Sequence, residues 1–155
     1  MKSIDMWKIL RDPRIVIIVV ILAFLVMQAI RVEKVNPDVK SDIAAKPEIK
    51  SLLRMACYDC HSNETVWPWY SHLAPASWLI AHDVHEGRQH LNFSEWETYT
   101  PKMKSRKLEA LAKEVIAEEM PPWYYTTVHR DQRLSSSNRG QIWAWALSES
   151  ETALK

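Results

Sequence analysis

Sixteen residues near the N-terminus, Ile15–Ile30 (IVIIVVILAFLVMQAI), carry no charge, no Pro and no Gly. As a helix this run spans about 24 Å at 1.5 Å per residue, somewhat under the ~30 Å hydrocarbon core of a bilayer. Arg14 and Arg31 bracket it and can snorkel to headgroups, and Trp7 suits an interface. A helix that is apolar all round is poorly suited to so small a soluble chain. The run therefore predicts a transmembrane signal anchor over residues 15–32, preceded by a cytoplasmic tail at 1–14. The competing reading is a cleaved signal peptide, but Gln28, Ile30 and Arg31 spoil the small-residue pattern around Ala29 that cleavage requires. Lys2, Lys8, Arg11 and Arg14 balance Arg31, Lys34, Lys40 and Lys46, so flanking charge does not orient the anchor.

Past the anchor the pattern becomes helical. Residues 33–46 read as a spacer, and a domain follows over 47–150. Pro47 suits a first helical turn, and Ile49, Leu52, Leu53 and Ala56 give that helix an apolar stripe running into Cys57. Residues 62–74 read as loop. Pro75 opens a second helix to about His90. Ser94 and Glu97 match a capping box for a short third. Leu108, Leu111, Ala112, Val115 and Ile116 repeat at helical spacing within a fourth, over about 103–119. Met120-Pro121-Pro122 stops it, and a loop runs to Leu134. Ser135 or Ser137 caps a last helix bearing Ile142, Trp145, Ala146 and Leu147. No alternating strand stands out, so the expected fold class is all-α.

Composition agrees and narrows the chemistry. The 155 residues include two Gly, eight Pro, eight Trp and two Cys. Two Gly argue against a turn-rich β fold, and two Cys exclude a multi-disulfide scaffold or a four-thiolate site. A net charge of +1 gives no electrostatic support for nucleic-acid binding.

The two Cys fall in Cys57-Tyr58-Asp59-Cys60-His61, the C-x-x-C-H pattern of covalent haem attachment. Two thiols bond the two vinyl groups of one porphyrin as thioethers, and the next residue places an imidazole under the iron. A redox C-x-x-C would need a thioredoxin-like context that is absent. A zinc site would need one distant His beside Cys57, Cys60 and His61. Met120 is the first choice for a sixth, distal iron ligand, since a thioether opposite His suits electron transfer; ordinary core packing is its alternative. His82 and His85 share a helix face and compete as ligands or as solvated side chains, and His129 is a fallback. His72 and His90 carry no spacing signal. Trp67, Trp69, Tyr70 and Trp78 suit haem packing, with indole and phenol groups able to meet propionates. Arg88 and His90 are candidate propionate or surface charges. The carbonyl of Pro68 or Pro75 is a candidate acceptor for the proximal imidazole N–H.

The string CYDCHSNETVWPWYSHLAPASWLIAHDVHEGRQHLNFSEW (57–96), with MPPWYYTTVH (120–129), resembles the bacterial haem-binding domain family of small membrane-anchored monohaem c-type proteins. The resemblance covers about residues 31–147 and extends well beyond C-x-x-C-H. It places haem attachment on Cys57, Cys60 and His61, and the Met-Pro element on Met120 and Pro121. More distantly, Met-Pro before a final helix is similar to class I cytochrome c, in which that Met is the axial ligand. The final helix departs from the pattern: LSSSNRGQI lacks an acidic first turn and includes Gly140.

The expectation is a transmembrane helix followed by a small cytochrome c-like helical domain with one covalent haem c. It would sit on the periplasmic side of the bacterial cytoplasmic membrane and transfer electrons to and from membrane or periplasmic redox proteins. It would take no nucleic acid and no small-molecule substrate, and would not be an enzyme. The alternative is a haem-based sensor or gas-binding module with a displaceable sixth ligand.

Overall fold

The computed structural model describes residues 12–155. Trp7 and most of the predicted tail lie outside the described residues. Those described are helical, with no strand beyond an isolated bridge between Ser41 and Glu95. They fall into two units. One comprises residues up to Lys34 together with Pro68–Ala81, and the other Val35–Trp67 with His82–Lys155.

The first unit contains α1 (Pro13–Ala29), which opens on Pro13 with the Asp12 carboxylate accepting from Arg14 N at 2.9 Å. None of its side chains is buried. No helix of the described residues is long and apolar enough to cross a membrane. Of the expected span over 15–32, a helix of 17 residues forms, ending where the chain turns extended at Ile30. Gln28 ties the end of α1 to residue 74: its amide donates to Ala74 O at 3.2 Å, and its carbonyl accepts from Ala74 N at 3.0 Å. Trp78 Nε1 donates to Ile30 O at 3.1 Å. A 3-10 turn over Trp69–His72 completes this unit, with Pro68 O accepting from Ser71 N.

The second unit is built on α2 (Pro47–Ala56), α5 (Pro101–Ile116) and α7 (Ser136–Thr152). α5 packs along α7, and α2 lies against α7. Leu53, Leu108, Val115, Ile142 and Ala146 are wholly or almost wholly buried between them, as their 3–4 residue spacing predicts. Ser135 caps α7 by accepting from Asn138 N. The segment read as a spacer is laid onto this unit: Ile43 is in the core, and the N–H groups of Lys40 and Ser41 donate to Ser94 O. α3 (Tyr58–His61) lies within the Cys motif, and α4 (Ala76–His90) contributes its residues from His82 onward.

Two local expectations fail. The capping box at Ser94 is absent: only a 3-10 turn, Trp96–Thr98, forms, and the Ser94 hydroxyl accepts from Asn63 N instead. The tertiary partner competes successfully for the hydroxyl that would have capped a helix. The loop before Leu134 holds a short helix, α6 (Trp123–Val128), and a 3-10 turn, Arg130–Gln132. Its aromatic and β-branched residues gave no helical signal.

α5 closes earlier than the periodicity suggests, in a Schellman turn. Glu119 N donates to Glu114 O and Glu118 N to Val115 O, with Glu118 at φ 63°. That left-handed position favours Gly. Glu118→Gly is expected to raise unfolding stability by about 1 kcal/mol, read as a higher urea midpoint at unchanged slope.

Candidate functional site

α3 brings Cys57, Cys60 and His61 onto one turn. Cys57 O accepts from Cys60 N at 3.2 Å and from His61 N at 2.9 Å. Residues three apart share a helix face, so the two thiols lie to one side and His61 closes the turn. Both thiols are free and partly buried. Burial, then the neighbouring Cys60, pushes the Cys57 thiol up to about 12. Burial, then Asp83 and Asp59, pushes Cys60 up to about 12. A redox-active thiol pair needs the opposite shift. Among the described residues no group of three His, Cys, Asp or Glu side chains could hold a metal ion, so the zinc alternative finds no donor set.

His61 Nδ1 lies 2.9 Å from Gly87 O and 3.0 Å from Leu91 O. A carbonyl can only accept, so the ring proton sits on Nδ1 and Nε2 keeps its lone pair. Burial holds the imidazole below its ordinary pKa, against the pull of the two carbonyls. The expected acceptors, Pro68 and Pro75, are corrected. Pro68 O accepts from Ser71 N, and Pro75 O from Trp78 N and Leu79 N. The end of α4 supplies the acceptors: Gly87 O takes the ring proton on its second lone pair beside the Leu91 N–H at 2.9 Å, and Leu91 O lies just past the helix.

Gly87 makes this approach possible. A Cβ there would stand 2.5 Å from Cys60 O and 3.0 Å from Cys60 C. Sequence reasoning missed the residue, although a Gly in a helix interior, in a chain with only two, was a usable signal.

The chain after the motif is fastened by buried polar groups. Phe93 N donates to His61 O at 2.8 Å. Asn92 Nδ2 donates to Asn63 Oδ1 at 2.8 Å, and Ser94 N to Asn92 Oδ1 at 3.0 Å. The Phe93 ring is fully buried, stacks on Tyr58 at 5.0 Å and meets the His61 ring edge-on at 6.4 Å.

These are the supports an iron-ligating His requires: a turn carrying two thiols, a fixed tautomer and a close-packed second element. Residues 17–148 match the haem-binding domain family. The chain belongs to that family. No curated protein and no solved structure matches it. Haem binding accordingly rests on this family membership.

Seen as a haem-binding domain, the chain uses several charges structurally. Arg88 Nε donates to Ser62 O, and its other nitrogens to Val35 O, Asn36 Oδ1 and Thr65 Oγ1, at 2.7–2.9 Å. Its guanidinium straps residues 35–36 to the turn after His61. His90 is exposed, 3.9 Å from Glu86. His85 Nε2 meets the Gln89 amide at 2.6 Å. The Tyr125 ring stacks on His129 at 4.5 Å, and its hydroxyl donates to Asp59 Oδ2 at 2.8 Å.

Met120 follows the Schellman turn. Its N–H donates to Glu114 O at 3.2 Å and its carbonyl accepts from Arg139 Nη1 at 2.7 Å. Its side chain is on the exposed side, at 36 % accessibility. Trp67 is half-buried. In the first unit Trp69 is 76 % exposed and meets Tyr70 edge-on. The Trp78 indole N–H is spent on Ile30 O.

Asp42 reaches the motif through Tyr58, whose hydroxyl donates to Asp42 Oδ1 at 2.5 Å. Lys50 pairs with Asp42 Oδ2 at 2.6 Å. Burial alone would raise the Asp42 carboxyl, but hydrogen bonds from Lys50 and Tyr58 and the charges of Lys50 and Arg54 hold it below its ordinary value. The unfolded chain therefore binds a proton more readily than the folded one. Asp42 contributes stability above pH ~4, lost as pH falls through the lower folded value. Asp42→Asn should cost about 1 kcal/mol at neutral pH, discounted for partial exposure. Parallel urea titrations should show the difference from wild type closing as the pH is lowered.

Proposed function

We propose that this chain is a membrane-anchored monohaem c-type protein that transfers electrons. Cys57 and Cys60 hold the haem as thioethers, His61 Nε2 is the proximal ligand and Met120 the distal one. The observation that carries the reading is the His61 imidazole. Its Nδ1 proton is fixed on two backbone carbonyls, so Nε2 is the nitrogen free to ligate. Bound haem supplies a one-electron ferric–ferrous couple. The residues around it fix the ligand tautomer, carry the thiols on one turn and exclude water with Phe93 and Tyr58. None of this requires a substrate or an acid–base group.

The unburied, uncharged side chains of α1 from Ile15 onward support lodging in a bilayer, with Arg14 before them and Arg31 beyond the helix end. Covalent haem c chemistry would then place residues beyond α1 on the periplasmic face of the cytoplasmic membrane, near membrane or periplasmic redox partners.

Spectra of the purified full-length holoprotein test this. The haem should resist acid–acetone extraction, and the oxidised protein should be low-spin with a Met–iron charge-transfer band. Met120→Ala should lose that band while keeping its haem. Extractable haem would overturn the thioethers, and no band in the wild type would overturn the Met ligand. A second reading draws on the exposed Met120 side chain: a gas-binding module with a displaceable ligand. Ready carbon monoxide binding to the ferrous wild type would favour it.

A further inference from the structure

At the end of α1 the first unit forms a half-open cavity of about 400 Å³, lined among others by Arg31, Lys34, Ser71, His72 and Ser77. Its construction is unlike the rest of the surface. Lys34 Nζ donates to Ser71 O at 2.9 Å and sits 2.6 Å from His72 Nδ1. An ammonium only donates, so His72 Nδ1 accepts and the neutral ring carries its proton on Nε2, a further donor. No carboxylate pairs with Arg31 or Lys34 among the described residues. The Ser71 side chain is fully buried, and its hydroxyl alone among the described buried polar side-chain atoms has no hydrogen-bond partner. A buried hydroxyl left without a partner is destabilising, and an arriving acceptor would relieve it. Two cations, an imidazole N–H and an unpaired hydroxyl together make a site for an oxyanion with several acceptor oxygens.

The geometry points to a phosphate-binding cavity whose occupant is the headgroup phosphate of an anionic phospholipid. Inorganic phosphate is the other source of the same chemistry. The lipid is favoured because the cavity adjoins the last residues of an apolar helix with no buried side chain. Gln28 and Ile30 belong both to the end of that run and to the cavity wall. The assignment to a lipid rests on the membrane anchoring proposed above. A headgroup held there would fix the depth at which α1 ends, adding a charge-specific contact to the non-specific apolar one.

The test uses full-length holoprotein in an uncharged detergent, with short-chain phosphatidylglycerol, short-chain phosphatidylcholine and inorganic phosphate as probes, read by native mass spectrometry and calorimetry. Phosphatidylglycerol should bind one per chain, with phosphatidylcholine at least about tenfold weaker. Lys34→Gln and Arg31→Gln should each weaken phosphatidylglycerol about tenfold, the loss of one charge-assisted contact. Ser71→Ala should also weaken it, while leaving the lipid-free protein as stable as wild type or more so, since an unpaired hydroxyl has been removed. A merely structural role for Ser71 would not give that combination.

Inorganic phosphate binding as tightly as the lipid would overturn the lipid assignment and leave a phosphate site. Equal binding of the two lipids, or unchanged binding in all three variants, would overturn the site itself. Flotation with pure phosphatidylcholine vesicles separates the two readings. Failure to float overturns the anchoring, whereas flotation together with equal binding of the two short-chain lipids upholds the anchoring and overturns the cavity assignment.

Discussion

Gly87→Ala is expected to yield a protein that loads haem poorly, whereas Gly140→Ala yields one more stable than wild type. Both glycines lie inside helices, where Ala is intrinsically better by about 1 kcal/mol. Propensity alone predicts the same gain at each. The surroundings differ: nothing lies within 4 Å of a Cβ at Gly140, whereas a Cβ at Gly87 meets Cys60 O at 2.5 Å. The obstructing atom is backbone in the haem motif and cannot swing aside as a side chain would. α4 must therefore back away from α3, at a cost of about 1–3 kcal/mol for overpacking. The same displacement draws the Gly87 and Leu91 carbonyls from His61 Nδ1, freeing the ring to turn. Haem per chain, from the absorbance of the reduced pyridine complex, should fall several-fold for Gly87→Ala and stay at wild-type level for Gly140→Ala. Normal loading of Gly87→Ala would show that α4 does not set the proximal geometry.

Arg139→Met should lower the stability of the holoprotein by about 2–3 kcal/mol. Arg139 lies on α7, is 8 % exposed, and its Nη1 donates to Val115 O at 2.9 Å and to Met120 O at 2.7 Å. Met conserves much of the apolar stem and removes both donors. Val115 O keeps the Glu118 N–H, so most of the cost falls on the Met120 carbonyl. The link to function is positional. Arg139 clasps the end of α5 and the residue proposed as distal ligand in one guanidinium, so its removal should weaken the Met–iron charge-transfer band as well as shift the urea midpoint. A shifted midpoint with an unchanged band would make Arg139 a structural residue only.

These two residues mark where sequence reasoning stopped. Arg139 stands in the first turns of a helix whose apolar stripe is plain from Ile142 and Ala146, yet a charged side chain on that stripe gives no sign that its partners are carbonyls some 20 residues away. Arg88 is similar. Its charge suggested a propionate, and its four hydrogen bonds to residues 35, 36, 62 and 65 could be recognised only once that strand of chain had been laid over the turn. Asp42 lay in a stretch that read as spacer. Ser94 matched a capping box, and a backbone N–H from Asn63 took its hydroxyl instead.

What the sequence determined by itself is what neighbouring residues decide. The C-x-x-C-H spacing sets two thiols and an imidazole on one turn, the 3–4 residue stripes mark α2, α5 and α7, and the uncharged run gives α1. Each depends on backbone geometry within a few residues. The tertiary structure decided which carbonyls hold the His61 proton, why residue 87 must be Gly, what clasps Met120, and that α1 ends at Ala29 beside a cationic cavity. Those outcomes turn on which distant polar groups meet when the helices pack, because a buried donor or acceptor must find a partner wherever the packing provides one.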